Sequence, residues 1–242
     1  MAICSMEMKS RFLSNGVRAL LLLPPDEARP HRLLTLLHVA GETPETTLNA
    51  FDLPSAAGRL QLAILLPALG NSFYLDWGEG FCARSALLRE LLPVAQERSG
   101  VSAAREANAI GGISMGGFGA LSLALGEPEL FAAAFSISGA LDLKKAAQLF
   151  RICQLPPPGD LLQAASRPEA QWDTLLAGDT RKPALYLAWG DRDWFLQANR
   201  TFARQAAECG LPVKAEETPG LHDWSYWSTS LGPALDWAAD VI

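Results

Sequence analysis

The sequence predicts an α/β fold, with a mostly parallel central sheet flanked by helices. Three observations carry that prediction. Short apolar runs alternate with longer segments of helical periodicity, which is the pattern of βαβ units. The 242 residues suit one large domain, and no internal repeat or linker-like stretch divides them. Hydrophobic residues make up 49% and charged residues 19%, below the roughly 25% of an average soluble protein, so a well-buried core is expected.

In chain order, 17–23 reads as a strand stopped by Pro24-Pro25. Residues 33–39 read as a buried strand ended by Ala40-Gly41, and 60–66 as a third ended by Pro67. Segment 83–98 reads as a helix with Leu87, Leu88, Leu91, Leu92 and Ala95 on one face and a bend at Pro93. A short strand at 108–113 runs into glycines, and a helix follows over 115–125 with Gly126 as its stop. Further strands fall at 131–138, 184–189 and 213–217, and a helix at 195–209 is ended by Gly210. The last segment, 223–241, reads as helical with an interruption at Gly232-Pro233. Between these elements the pattern weakens over 142–182, around Leu155-Pro156-Pro157-Pro158-Gly159. That is too long for an ordinary connection and is read as a cap over a site.

Composition excludes several classes. The net charge of −6 and the lack of a basic stripe argue against nucleic acid. Apolar runs such as 19–25 fall far short of the ~20 residues that span a bilayer. The start of the chain has no basic segment followed by an apolar one. A cytoplasmic protein without a membrane partner is expected. Cys4, Cys82, Cys153 and Cys209 are widely spaced with no C-x-x-C, so they read as free thiols and supply no zinc site.

Chemistry concentrates at Gly112-Ile113-Ser114-Met115-Gly116, a G-x-S-x-G between an apolar strand and an Ala/Leu-rich helix. A serine on so sharp a turn needs small neighbours two positions away. The turn lifts its hydroxyl to a helix N-terminus, where N–H groups favour a developing anion. The sequence fits neither a dinucleotide fingerprint, because Ser122 stands where a glycine is needed, nor a phosphate loop with Gly-Lys-Ser/Thr.

A serine nucleophile needs a base, and the histidines are His31, His38 and His222. His31 lies beside Pro30 before a strand, and His38 ends a strand. In the order Ser, acid, His, only His222 follows Ser114. The acid is sought in Gly190-Asp191-Arg192-Asp193, after the strand at 184–189. Spacing does not choose between Asp191 and Asp193; the carboxylate not used could pair with Arg192 or cap the next helix.

In order along the chain, Leu36-Leu37-His38, Asn71-Ser72-Phe73-Tyr74-Leu75-Asp76, 112–120, 190–193 and His222-Asp223-Trp224 with Trp227 match one group. With them the chain resembles the putative esterase family of α/β-hydrolases. That group includes tributyrin esterases, S-formylglutathione hydrolases, feruloyl and acetylxylan esterases and mycolyltransferases. The resemblance implies a single α/β-hydrolase domain over 1–242 and a Ser114, His222, Asp193 triad, with Asp193 preferred over Asp191. It also implies an oxyanion hole from the N–H groups of Met115 and Ala40, with Val39 as the neighbouring option. Val39 departs from the glycine usual after the histidine. His38 is read as shaping this loop.

Phe73, Tyr74, Trp224 and Trp227 are expected to line the substrate pocket, as could Trp77; Asn71 and Ser72 could face it. The expected function is serine carboxylic-ester hydrolysis on short acyl esters through an acyl-enzyme, with no metal or organic cofactor. Acyl-sugar, hydroxycinnamate and S-formylglutathione esters are alternatives. The rival from another class is a non-catalytic ligand-binding protein on this fold. The expected partner is a small-molecule ester, and homo-oligomerisation is left open.

Overall fold

The computed structural model describes residues 2–25, 32–156, 159–178 and 181–242. His31 and Pro157-Pro158 lie outside them. Eight strands form one sheet: β1 (Ala2–Met8), β2 (Val17–Leu23), β3 (Arg32–Leu37), β4 (Leu62–Ala68), β5 (Asn108–Ile113), β6 (Ala133–Ile137), β7 (Ala184–Gly190) and β8 (Val213–Thr218). Their order is β1-β2-β4-β3-β5-β6-β7-β8. The pairs β1–β2 and β2–β4 are antiparallel, and every later pair is parallel.

The helices are α1 (Pro44–Ala50), α2 (Leu53–Leu60), α3 (Ala83–Ala86), α4 (Leu92–Ser99), α5 (Met115–Gly126), α6 (Leu143–Ile152), α7 (Leu161–Ala164), α8 (Trp172–Ala177), α9 (Leu196–Glu208) and α10 (Trp224–Val241). Alternate residues of the central strands enter two cores. Leu33, Leu37 and Ile110 pack beneath α4, α5 and α9, while Leu34, Leu36 and Ala109 pack against α2 and α10. Covered on both faces, these strands read as continuous apolar runs.

Four departures from the sequence reading have physical causes. β1 was missed because it is an edge strand, mostly exposed and mixed in composition. Leu60 belongs to α2, and β4 runs through Pro67. β3 pairs only with residues 62–65 of β4, so at Pro67 the strand is paired on one side alone, opposite Ala19 of β2. Around Pro93, α3 and α4 join through a π turn at Leu87–Leu91, which loosens the helix where the proline ring would meet the carbonyl of Arg89. Finally, α10 is continuous across Gly232-Pro233. Burial of Tyr226, Trp227, Leu231, Ala234, Leu235 and Ala238 on the second core outweighs the lost hydrogen bond, while Pro233 itself faces solvent.

The carboxyl ends of β3, β5, β6, β7 and β8 share one edge of the sheet. In open α/β sheets that edge gathers functional loops.

Candidate active site

Ser114 sits between β5 and α5 at φ 55°, ψ −112°, a left-handed conformation that costs a side-chain-bearing residue energy. Its neighbours fix that geometry. Its N–H donates to Ile137 O at 2.9 Å, and its carbonyl accepts from Ala140 N at 3.0 Å and Phe118 N at 3.1 Å. The chain can turn this sharply because positions 112 and 116 lack a Cβ. One at Gly112 would strike the Gly116 backbone, and one at Gly116 would strike the carbonyls of Leu37 and His38. The same absence seats the first turn of α5 against the loop after β3.

His222 follows β8, and its loop is laced to the turn after β7. Gly220 N donates to Asp191 Oδ1 at 3.0 Å, and Arg192 N donates to Gly220 O at 3.0 Å. A Cβ at Gly190 would collide with Gly220. Asp223 then caps α10 by accepting from Tyr226 N at 3.0 Å. The imidazole is thereby held with Nε2 2.9 Å from Ser114 Oγ and Nδ1 3.0 and 3.1 Å from the Asp193 carboxylate oxygens. With Nδ1 protonated, His222 donates to Asp193, and Nε2 accepts the Ser114 hydroxyl.

Asp193 is buried, whereas the Asp191 side chain is half-exposed, pairs with Arg192 and holds the Gly220 N–H. Burial alone would raise the Asp193 pKa. The His222 imidazole, the nearby Ser138 hydroxyl and the Phe195 N–H together outweigh it and hold the carboxyl below its ordinary value. Asn199, fully buried on α9, donates to Gly139 O and Phe195 O and so ties the loop after β6 to the one carrying Asp193.

Ser114 and His222 open into a cavity of about 180 Å³. Met115 and Ala40 both line it, and among the described residues neither N–H has an intramolecular acceptor. Val39 lines it too and turns its carbonyl to His38 Nδ1 at 2.8 Å. Burial pushes the His38 pKa down, partly offset by that carbonyl and by Glu42. Asn71 does not line the cavity. It accepts from Gly41 N at 2.7 Å and donates to Pro156 O at 3.3 Å, joining the β3 loop to the segment after α6.

Of the four aromatic residues singled out for the pocket, Phe73, Trp224 and Trp227 line the cavity and Tyr74 does not. Phe73 and Tyr74 both have positive φ, so the turn sends their rings to different places. Tyr74 is fully buried against Gly119, and its hydroxyl donates to His38 O at 3.1 Å. Trp77 likewise turns away, donating from its indole to Ser72 O at 2.7 Å beneath the Arg167 guanidinium.

Sequence reasoning missed Trp194 and, within the segment 142–182 read as a cap, did not name the side chains of α6 and the residues after it that reach the cavity. Trp194 stacks on His222, with ring centroids 4.9 Å apart and planes 18° apart, while Trp227 meets the imidazole edge-on at 5.2 Å. Ala146, Leu149, Phe150, Cys153 and Leu155 form the facing wall. Their positions depend on where 143–155 docks. Trp194 had a signal, its place immediately after the candidate acid. Among the described residues, no cluster of His, Cys, Asp and Glu could hold a metal, and no helix is long and apolar enough to cross a membrane.

Residues 76–238 match the model of the family described as "Putative esterase". The acetyl esterase of Caldicellulosiruptor saccharolyticus is 27% identical over an alignment of 280 positions, gaps included, covering 100% of this chain and 99% of that protein. Two solved structures from Staphylococcus aureus share the fold. The substrate-bound fluorophosphonate-binding serine hydrolase FphF has a TM-score of 0.84 at 23% identity, covering 98% of both chains. The S-formylglutathione hydrolase FrmB has a TM-score of 0.81 at 22% identity, covering 99% of this chain and 100% of that one. The architecture is the α/β-hydrolase fold.

Proposed function

This chain belongs to the putative esterase family, and on that premise we propose that it hydrolyses short-chain carboxylic esters through Ser114, His222 and Asp193. The observation that carries the reading is the unbroken hydrogen-bonded chain from Ser114 Oγ through His222 to a buried carboxylate, at the mouth of an apolar cavity.

Ser114 Oγ attacks the ester carbonyl carbon while His222 Nε2 takes its proton. The tetrahedral oxyanion is held by the N–H groups of Met115 and Ala40. Collapse of that intermediate breaks the bond to the alcohol, which leaves with the proton from His222. A water then repeats the sequence on the acyl-enzyme, returning Ser114 and the free acid. Asp193 keeps the imidazole in its working tautomer and stabilises the imidazolium formed twice in each cycle.

Two observations support a short acyl group. The cavity is smaller than the ~300–1,000 Å³ of sites for drug-sized ligands. The curated relative is an acetyl esterase. The complete triad also speaks against a binding protein without turnover. The four cysteines are unpaired, which suits the cytoplasm.

Turnover of p-nitrophenyl acetate, butyrate and octanoate by wild type and Ser114→Ala tests this reading. Wild type is expected to favour the two shorter esters, and Ser114→Ala to lose at least ~10³-fold in kcat/KM. Equal activity in the two proteins would refute it.

A further inference from the structure

We propose that the cavity above Ser114 sorts its esters by charge. It takes a leaving group that carries an ammonium in preference to a neutral one, and a neutral one in preference to a carboxylate. This rests on the ester-hydrolysis reading and names the substrate class of the same site.

Among the described residues lining the cavity, Glu42 is the only aspartate, glutamate, lysine or arginine. It is half-buried, and its carboxylate has no hydrogen bond or ion pair among the described residues. Its N–H donates to Val39 O at 3.3 Å, which holds it two residues beyond Ala40 on the loop that faces the nucleophile. Lys144, Lys145, Arg151 and Arg192 lie on neighbouring segments but do not line the cavity, and Arg192 is paired with Asp191. Among the described residues, the one Asp, Glu, Lys or Arg lining the cavity is therefore a carboxylate with no cationic partner.

The other half of the site is aromatic, and its layout says which part of the ester meets it. Phe73 and Phe150 pack on each other at 5.2 Å, beside Ala146 and Leu149, and make an apolar wall suited to an acyl chain. A separate run of ring contacts links Phe51, Trp224, Trp227, His222 and Trp194. His222 must hand its proton to the leaving oxygen or sulfur, so the leaving group lies along this run. Trp194 gives one face to His222 and is 48% exposed. Glu42 leads into α1, which ends on Phe51 against Trp224. Glu42 lines the same cavity as Trp194, Trp224 and Trp227, and indole faces sharing a cavity with a carboxylate are the chemistry that holds an ammonium group.

The test uses three thioesters with one acyl group, each releasing a thiol that is titrated after quenching. They are butyrylthiocholine, its neutral isostere S-(3,3-dimethylbutyl) thiobutyrate, and S-butyryl-3-mercaptopropionate. Each kcat/KM is divided by the rate of hydroxide hydrolysis, which removes intrinsic reactivity. Wild type is expected to rank cation, neutral, anion with about tenfold between neighbours, the size of a half-screened ion–carboxylate interaction at a partly exposed site. The ranking should shrink in 0.5 M salt. Glu42→Gln should bring the three within about twofold, and Glu42→Lys should reverse the order. Equal normalised rates in wild type, or an unchanged order in Glu42→Gln, would overturn the proposal while ester hydrolysis stood. No turnover of any thioester, nor of p-nitrophenyl butyrate, would overturn both.

Discussion

Replacing Gly116 with alanine probes how closely the nucleophile turn and the β3 loop are fitted. A Cβ at Gly116 would lie 2.9 Å from His38 O and 2.7 Å from Leu37 C, where ordinary contact begins near 3.4 Å. The neighbours are backbone, and β3 lies between β4 and β5, so it cannot yield. Either the first turn of α5 or the loop carrying Val39 and Ala40 must move by half an ångström or more. Overpacking of this kind costs about 1–3 kcal/mol, whereas the helix-propensity gain of Gly→Ala is about 0.5–1 kcal/mol, so the clash wins. The predicted fall in Tm is roughly 2–10 °C for a chain of this length. The catalytic loss should be larger than the stability loss. On the proposed mechanism, in which the Ala40 and Met115 N–H groups hold the oxyanion, misplacing either by up to ~1 Å should cost about 10²-fold, and the loss should fall on kcat because the oxyanion exists only after attack. Steady-state kinetics on p-nitrophenyl butyrate with thermal melts by circular dichroism measure both. A variant with kcat within threefold of wild type and an unchanged Tm would refute the assignment of this contact.

Phe150→Ala opens the apolar wall opposite Phe73. The kcat/KM ratio of octanoate to acetate should rise about tenfold on p-nitrophenyl esters, since each buried methylene is worth ~0.8 kcal/mol. Gly58→Ala lies inside α2, where the added Cβ meets only Pro25 Cδ at 3.9 Å. It should stabilise by about 0.5–1 kcal/mol and raise Tm by roughly 1–4 °C in the same melts. Glu45 is held at a pKa of about 2 by its hydrogen bonds with Arg18. A depressed carboxylate stabilises the fold above the ordinary value of 4.5 and loses that contribution as pH falls towards 2. Both side chains are 41% exposed, so solvent screening leaves about 0.2–1 kcal/mol. Glu45→Gln should cost that much at pH 7 in urea titrations, and the cost should disappear as pH falls through about 2.

Much of this architecture was legible because it depends on local pattern. The parallel strands announce themselves as apolar runs, and Ser114 by the glycines its turn requires. His222 follows by elimination among three histidines. The acid was not legible from spacing. Asp191 and Asp193 share one short turn, and only the docking of the His222 loop decides which faces inward and which binds the Gly220 N–H. The pocket was read less well, because a ring's direction depends on tertiary packing. Phe73 and Tyr74 are adjacent and alike in type, yet one lines the cavity and the other packs on Gly119. The weak pattern over 142–182 pointed to a cap but not to the α6 side chains that form the wall, and the edge strand β1 carries no local signature. The Gly232-Pro233 step misled because a local helix breaker was overridden by the burial of one face of α10.

The proposed chemistry turns on Asp193, not Asp191, orienting His222 for attack by Ser114. The direct measurement is kcat/KM on p-nitrophenyl butyrate for Asp193→Asn and Asp191→Asn, with folding checked by melts. An asparagine at 191 still offers an oxygen to the Gly220 N–H, so that variant should stay within about tenfold of wild type. An asparagine at 193 removes the charge facing the imidazolium and should cost about 10³–10⁴-fold. A folded Asp193→Asn enzyme as active as wild type, or a larger loss in Asp191→Asn, would rule out Asp193 as the residue that orients His222.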